Sequence, residues 1–196
     1  MTAALTFLST AANAHSFGAG TDTFQAFIDG SNAVLFSPVS LLPCLSLGLL
    51  LSLWTAEGMV KVWPILIAGH LAGFVLAPKV GAWVIPTLVL AGAVTATFAA
   101  LLPRHTRMET MVLAAGLALL TMLVSLEGHG WLELAAPIYI GIFCAASFGV
   151  AAGAGLARLA LERLPLAWVR IGLRVVASWL AAIQMLMAAF LLASVG

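Results

Sequence analysis

Three groups of side chains in this sequence could do chemistry. His70 is the only ionisable residue near the middle of an apolar run, between Val62 and Pro78. Ionisable groups at membrane depth are expensive and mark functional positions by default. An imidazole there has a second use, as a neutral donor to a carbonyl or hydroxyl of a neighbouring helix. Gly69 beside it and Gly73 three residues on would bring such a group within reach. The second group is Glu127, His129 and Glu133. His129 and Glu133 are four apart and would share a helix face if a helix began early enough. Imidazole with carboxylates suits a divalent transition metal. His15, Asp22 and Asp29 fall on the same side of the expected topology, so these six residues could hold or attract a cation at an outer mouth. The same charges also serve to keep short loops in water. The third group is Cys44 and Cys144, possible soft ligands if they faced each other, and otherwise small buried apolar residues.

No catalytic arrangement accompanies these groups. The chain has no phosphate-binding glycine loop, no H-E-x-x-H, no G-x-S-x-G and no C-x-x-C. It lacks the paired histidines of a haem-carrying bundle. A non-enzyme is expected, with no catalytic residues. Net charge is +1 and no basic tract is present, which argues against a nucleic-acid partner.

The elements that must position these residues are membrane helices. Of 196 residues, 63% are hydrophobic and 8% are charged. Soluble domains carry about 25% charged residues, so a soluble fold could not hide this surface. The expected fold is an all-α integral membrane bundle of about six spans in one domain, with the lipid bilayer as its first partner. Residues 1–14 end in Ala12-Asn13-Ala14, a pattern like a signal-peptidase site, and form a leader or an interfacial segment. Residues 15–36 form an outer pre-membrane segment. There Asp29-Gly30-Ser31-Asn32 reads as a turn, so Thr21–Phe36 is expected to be a non-helical loop. Residues 37–196 hold the bundle. Spans are expected at about 37–55, 62–78, 82–102, 108–126, 132–157 and 171–193.

Seven of the eight Lys and Arg residues fall on one side of this topology. They are Lys61, Arg104, Arg107, Arg158, Arg163, Arg170 and Arg174, against Lys79 alone on the other. The positive-inside rule then places both termini in the periplasm of a bacterial inner membrane. Arg170 and Arg174 are expected to snorkel to the interface. Gly69–Gly73 and Gly149–Gly153 are G-x-x-x-G pairs, which let helix backbones approach closely. They are expected to pack inside the monomer. Pro64 and Pro86 fall in first turns, as does Pro38. Pro43 falls deeper and is expected to kink its helix.

The stretch Ser37–Ala56 is uncharged and spans twenty residues, with Pro38 near its start and Trp54 near its end. It resembles the signature helix of the HupE/UreJ family of hydrogenase and urease accessory membrane proteins. Pro38 falls on the family's proline and Trp54 on its tryptophan, with no gap. Ser37 stands at the first His, Leu41 at the Gly, Pro43 at the Asp and Cys44 at the second His. The stretch Gly128–Pro137 resembles the family's second motif, with Glu133 at its second His and Ala136 on or beside its Glu. The fifth span carries the family's glycines, with Ala146 or Ser147 where a His is usual. His15 followed by Ser16-Phe17-Gly18 is similar to a mature family N-terminus.

The resemblance implies nickel or cobalt uptake or handling, with the ion as substrate; on that reading the outer cluster is its site, and His70 and Cys44, which the family motifs do not supply as ligands, lie further along the path. The missing ligands imply an alternative: a non-transporting accessory subunit that keeps the fold and packs against other membrane proteins. A permease should gather its polar residues on a central path. A subunit should scatter them.

Overall fold

The computed structural model describes residues 22–101, 106–164 and 166–193. His15, Arg104 and the leader-like residues 1–14 lie outside them. The described residues form seven α-helices and no strand. The helices are α1 (Thr23–Leu35), α2 (Pro38–Trp54), α3 (Gly58–Leu76), α4 (Val84–Leu101), α5 (Arg107–Ser125), α6 (Ala136–Arg163) and α7 (Ala167–Ala193). A single 3-10 turn, Ala77–Lys79, extends α3. The helices from α3 to α7 are each long and apolar enough to cross a bilayer. The helix α2 has 17 residues, about 25 Å of rise; with α1, from which it is bent by 71°, it forms a broken span or a re-entrant loop, so the described residues hold five or six spans. This is a multi-pass membrane protein.

The segment 23–35 is a helix and not the expected loop. Asp22 accepts the Phe24 N–H and caps its first turn. Gly30 is not a turn glycine. It lies against the Ile138 backbone of α6, and Gly141 of α6 lies against Phe27 and Ser31 in return. Close packing between the two backbones holds a helix that local sequence disfavours. The chain bends at Phe36–Ser37, before Pro38. A residue preceding proline is driven to extended backbone, and Ser37 sits at φ −94°, ψ 110°. Pro43 lies inside α2, which continues unbroken to Trp54.

The helix α2 is central, and its neighbours are α6, α4, α5, α7, α1 and α3. Leu47, Leu50 and Leu51 are its fully buried anchors. Glycines set the spacing. Gly48 of α2 meets the Val150 and Ala154 backbone of α6, and Gly149 and Gly153 of α6 meet Cys44 and Leu45 of α2. Gly69 and Gly73 of α3 meet Ala115 and Leu119 of α5. Residue numbers rise together across both pairs, so α2 with α6, and α3 with α5, pack in parallel. Both G-x-x-x-G pairs therefore serve contacts inside the monomer.

The ends of the helices are defined by side chains. Thr106 and Glu109 form a reciprocal capping box that starts α5. Arg174 donates from Nε to the Ala100 carbonyl at 2.6 Å and from Nη2 to the Leu101 carbonyl at 3.3 Å. It closes the C-terminal end of α4. The helix α6 starts four residues later than expected. Gly128 and Leu132 both have positive φ, which keeps the preceding segment out of helix. At its other end α6 runs to Arg163, supported by the Arg158–Glu162 pair at 2.7 Å.

Gly48→Ala should destabilise the bundle by about 1–3 kcal/mol, because its Cβ would land on α6 backbone that cannot move aside. A methyl at Gly155 meets nothing within 4 Å. Gly155→Ala should be neutral or slightly stabilising by comparison. Thermal unfolding of both variants in detergent, with equal losses, would contradict this packing.

Candidate functional site

The buried polar groups lie in the interfaces around α2 and α3. Gln184 of α7 is fully buried. Its Nε2 donates to Ser46 Oγ of α2 at 2.9 Å and to the Leu180 carbonyl at 3.0 Å. Ser46 Oγ donates in turn to the Leu42 carbonyl at 2.8 Å. Gln184 Oε1 has no hydrogen-bond partner among the described residues and lies against Gly92 of α4, beside the Pro43 ring. Any side chain at 92 would collide with that oxygen. Pro43 has no N–H to offer the Val39 carbonyl one turn back. The amide thus joins α7 to α2 next to the turn that proline weakens. Sequence reasoning missed Gln184. Its signal was a lone amide within an otherwise apolar run, Ala181–Phe190.

Cys44 is buried between α5 and α6. Its thiol interacts with the Thr121 hydroxyl, and Gly149 packs on its Cβ. Thr121 Oγ1 itself donates to the Leu117 carbonyl at 2.8 Å. Cys144 is exposed on α6, and both cysteines are free thiols. The two do not form a shared sulfur site. Nearer the opposite end, Ser52 of α2 donates to the Ala154 carbonyl of α6 at 2.6 Å.

His70 is buried in α3, about 9 Å of helical rise before Leu76. Its ring stands edge-on to Phe143 of α6, with centroids 5.3 Å apart. One turn on, Phe74 meets Tyr139 in the same geometry at 5.2 Å. Such pairs add about 0.5–1.5 kcal/mol beyond their burial. The Tyr139 hydroxyl accepts the Leu134 N–H at 3.2 Å, which ties this aromatic ladder to the loop between α5 and α6. Trp131 Nε1 donates to the Val75 carbonyl at 3.1 Å and ties the same loop to α3. His70 interacts with the Leu66 carbonyl one turn back. Its Nδ1 nevertheless makes no hydrogen bond of ordinary geometry among the described residues.

The described members of the outer group, Asp22, Asp29, Glu127, His129 and Glu133, do not form one ligand set. Asp22 caps α1, and Asp29 Oδ1 accepts from Gln25 Nε2 at 2.8 Å. Glu133 Oε2 accepts the Gly130 N–H. His129 Nδ1 lies 3.1 Å from the Glu127 carbonyl oxygen. His129 and Glu133 both precede α6, so the shared helix face expected for them does not exist. Among the described residues no three His, Cys, Asp or Glu side chains group as metal ligands. Glu127 is the exception in character. Its Oε2 is buried without a partner, and burial pushes its carboxyl above the usual value of 4.5.

Comparison with protein-family models, curated proteins and solved structures finds no match to this chain.

A carboxyl raised in the folded state favours folding when protonated. Stability should be greatest at low pH and should fall as pH climbs from about 4.5 through the raised value. Glu127→Gln should flatten that slope and raise the melting temperature at neutral pH. Unfolding curves in detergent between pH 4 and pH 8 measure both, and an unchanged slope would refute the assignment.

Proposed function

We propose that this chain is a non-enzymatic accessory subunit of a larger membrane protein complex, built on a HupE/UreJ-like bundle without the metal site. The observation that supports this reading is the dispersal of its buried polar groups. Gln184 and Ser46 join α7 to α2. Cys44 and Thr121 join α2 to α5. His70 lies between α3 and α6, and Ser52 joins α2 to α6. A conducting path needs ligands set in sequence to replace a hydration shell. Here most of these groups are engaged within separate helix contacts, as structural polar residues would be.

The helix α7 presents a long apolar face of Ile171, Val175, Trp179, Leu186 and Phe190. Lipid or a partner helix would suit it equally in polarity. The basic residues gather at the end formed by the α6–α7 turn and the start of α5. On the positive-inside rule this end faces the cytoplasm of a bacterial inner membrane, with the termini outside.

A second reading keeps the implied family role, with nickel or cobalt as substrate. The buried imidazole of His70, whose Nδ1 makes no hydrogen bond of ordinary geometry among the described residues, favours it.

Nickel and cobalt accumulation in cells expressing the chain separates the two. The accessory reading expects no uptake above control cells and no effect of His70→Ala or His129→Ala. It also expects migration well above the 20.3 kDa chain mass on native gels from source membranes, after correction for bound detergent. Uptake that falls in either variant would replace it with the permease.

A further inference from the structure

A groove of about 500 Å³ opens at the turn between α6 and α7, lined by Leu161, Leu164, Leu166, Ala167 and Arg170. Its depth follows from helix length. The 28 residues of α6 rise about 42 Å, and the hydrocarbon core is about 30 Å thick. The helix therefore outruns the core, and the charges Arg158, Glu162 and Arg163 in its last turns favour placing that end at headgroup level. Trp168, exposed in the first turn of α7, is the residue type that anchors at this level.

The charges here are unbalanced. Glu162 is the acid of this corner, and Arg158 already pairs with it at 2.7 Å. Arg174 is turned away to the α4 carbonyls. Arg163 and Arg170 are exposed, and neither makes an ion pair among the described residues. The Arg170 guanidinium thus lines the groove, and Arg163 stands exposed in the last turn of α6, next in sequence to Leu164 of the lining. Leucine side chains suit the upper acyl and glycerol carbons, and guanidinium suits phosphate oxygens in bidentate geometry.

We propose that the α6–α7 corner is a binding site for an anionic phospholipid, with Arg170 and Arg163 on the phosphate and Leu161, Leu164 and Leu166 along the chains. The site goes beyond the subunit reading and does not depend on it. It would fix the rotation of α7, whose other polar tethers are Arg174 and Gln184, by charge at the membrane surface.

The test is native mass spectrometry of the detergent-purified full chain, titrated with phosphatidylglycerol or phosphatidylcholine of identical chains. The wild type should prefer phosphatidylglycerol by about tenfold or more, at about fivefold for each arginine near the surface. Arg163→Gln with Arg170→Gln should abolish the preference. Arg163→Lys with Arg170→Lys should keep most of it, and Arg107→Gln should leave it intact. A preference that survives the double glutamine variant, or that falls equally in Arg107→Gln, would overturn the site. Inorganic phosphate that stabilises the wild type as well as the lipid does would assign the corner to a soluble anion and also overturn it.

Discussion

The structure depends on close approach between helix backbones, and glycine is what permits it. Between helices in a bilayer there is no hydrophobic driving force, because lipid tails are as apolar as leucine. Association must come from dispersion contacts and a few polar ties, both of which fade steeply with distance. The four glycine contacts described above place α2 against α6, α3 against α5, α1 against α6, and α4 against Gln184. Each puts backbone or a polar group where a Cβ would otherwise sit. The rest of the architecture follows from which helices carry such a face. The helix α7 carries none that is occupied, since Gly172 meets nothing within 4 Å. It is held instead by Gln184 at mid-depth and Arg174 at its start, and it leaves most of its surface to the surroundings.

Polar groups follow the same constraint. A hydroxyl in hydrocarbon without water must find its acceptor inside the protein. Ser46, Thr95, Thr97, Thr121 and Ser125 each donate to the carbonyl four residues back on their own helix. That local solution lets a small polar side chain sit in an interface without asking anything of its neighbour. Ser52 and Gln184 differ, because they reach across to another helix. They carry orientation information that dispersion contacts cannot, since apolar packing tolerates rotation more readily than a donor and acceptor at 2.6–2.9 Å do.

How much of this could be read from sequence divides by the range of the interaction. Spans and their order follow from runs of apolar residues, and α3, α4 and α5 begin and end within a few residues of the expectation. The α1 helix was illegible. Asp29-Gly30-Ser31-Asn32 has turn composition, and only the α6 backbone opposite Gly30 explains a helix there. The shared helix face expected of His129 and Glu133 failed for a related reason. Sequence spacing of four implies one helix face only where a helix exists, and positive φ at Gly128 and Leu132 removes it from that stretch. Gln184 escaped because it bears no charge. A search for ionisable groups finds His70 but passes over an amide that makes more hydrogen bonds. For Arg174, charge and position indicate an end of the bundle but not the partner. Its target, a helix end more than seventy residues away, is a tertiary fact.

The bent first span brings these constraints together. Pro38 forces Ser37 out of helix, and the helix that follows rises only about 25 Å. The segment before the bend must then cover itself. It does so by laying α1 on the first turns of α6, where Gly141 admits it, with Ser31 Oγ donating to the Phe27 carbonyl at 2.9 Å. Five residues into α2, Pro43 removes another N–H. The ring occupies the space beside Gly92 that a larger residue on α4 would close. Most of the residues that make Ser37–Ala56 look unlike a plain anchor have a geometric role: Pro38 sets the bend, Pro43 shapes the α4 contact, and Ser46 and Ser52 join α2 to its partners, while the buried Ser40 Oγ has no hydrogen-bond partner among the described residues. The Pro43 ring packs against Gly92 of α4, and Cys44 packs between Thr121 of α5 and Gly149 of α6, so both positions that break the apolar pattern early in α2 face neighbouring helices.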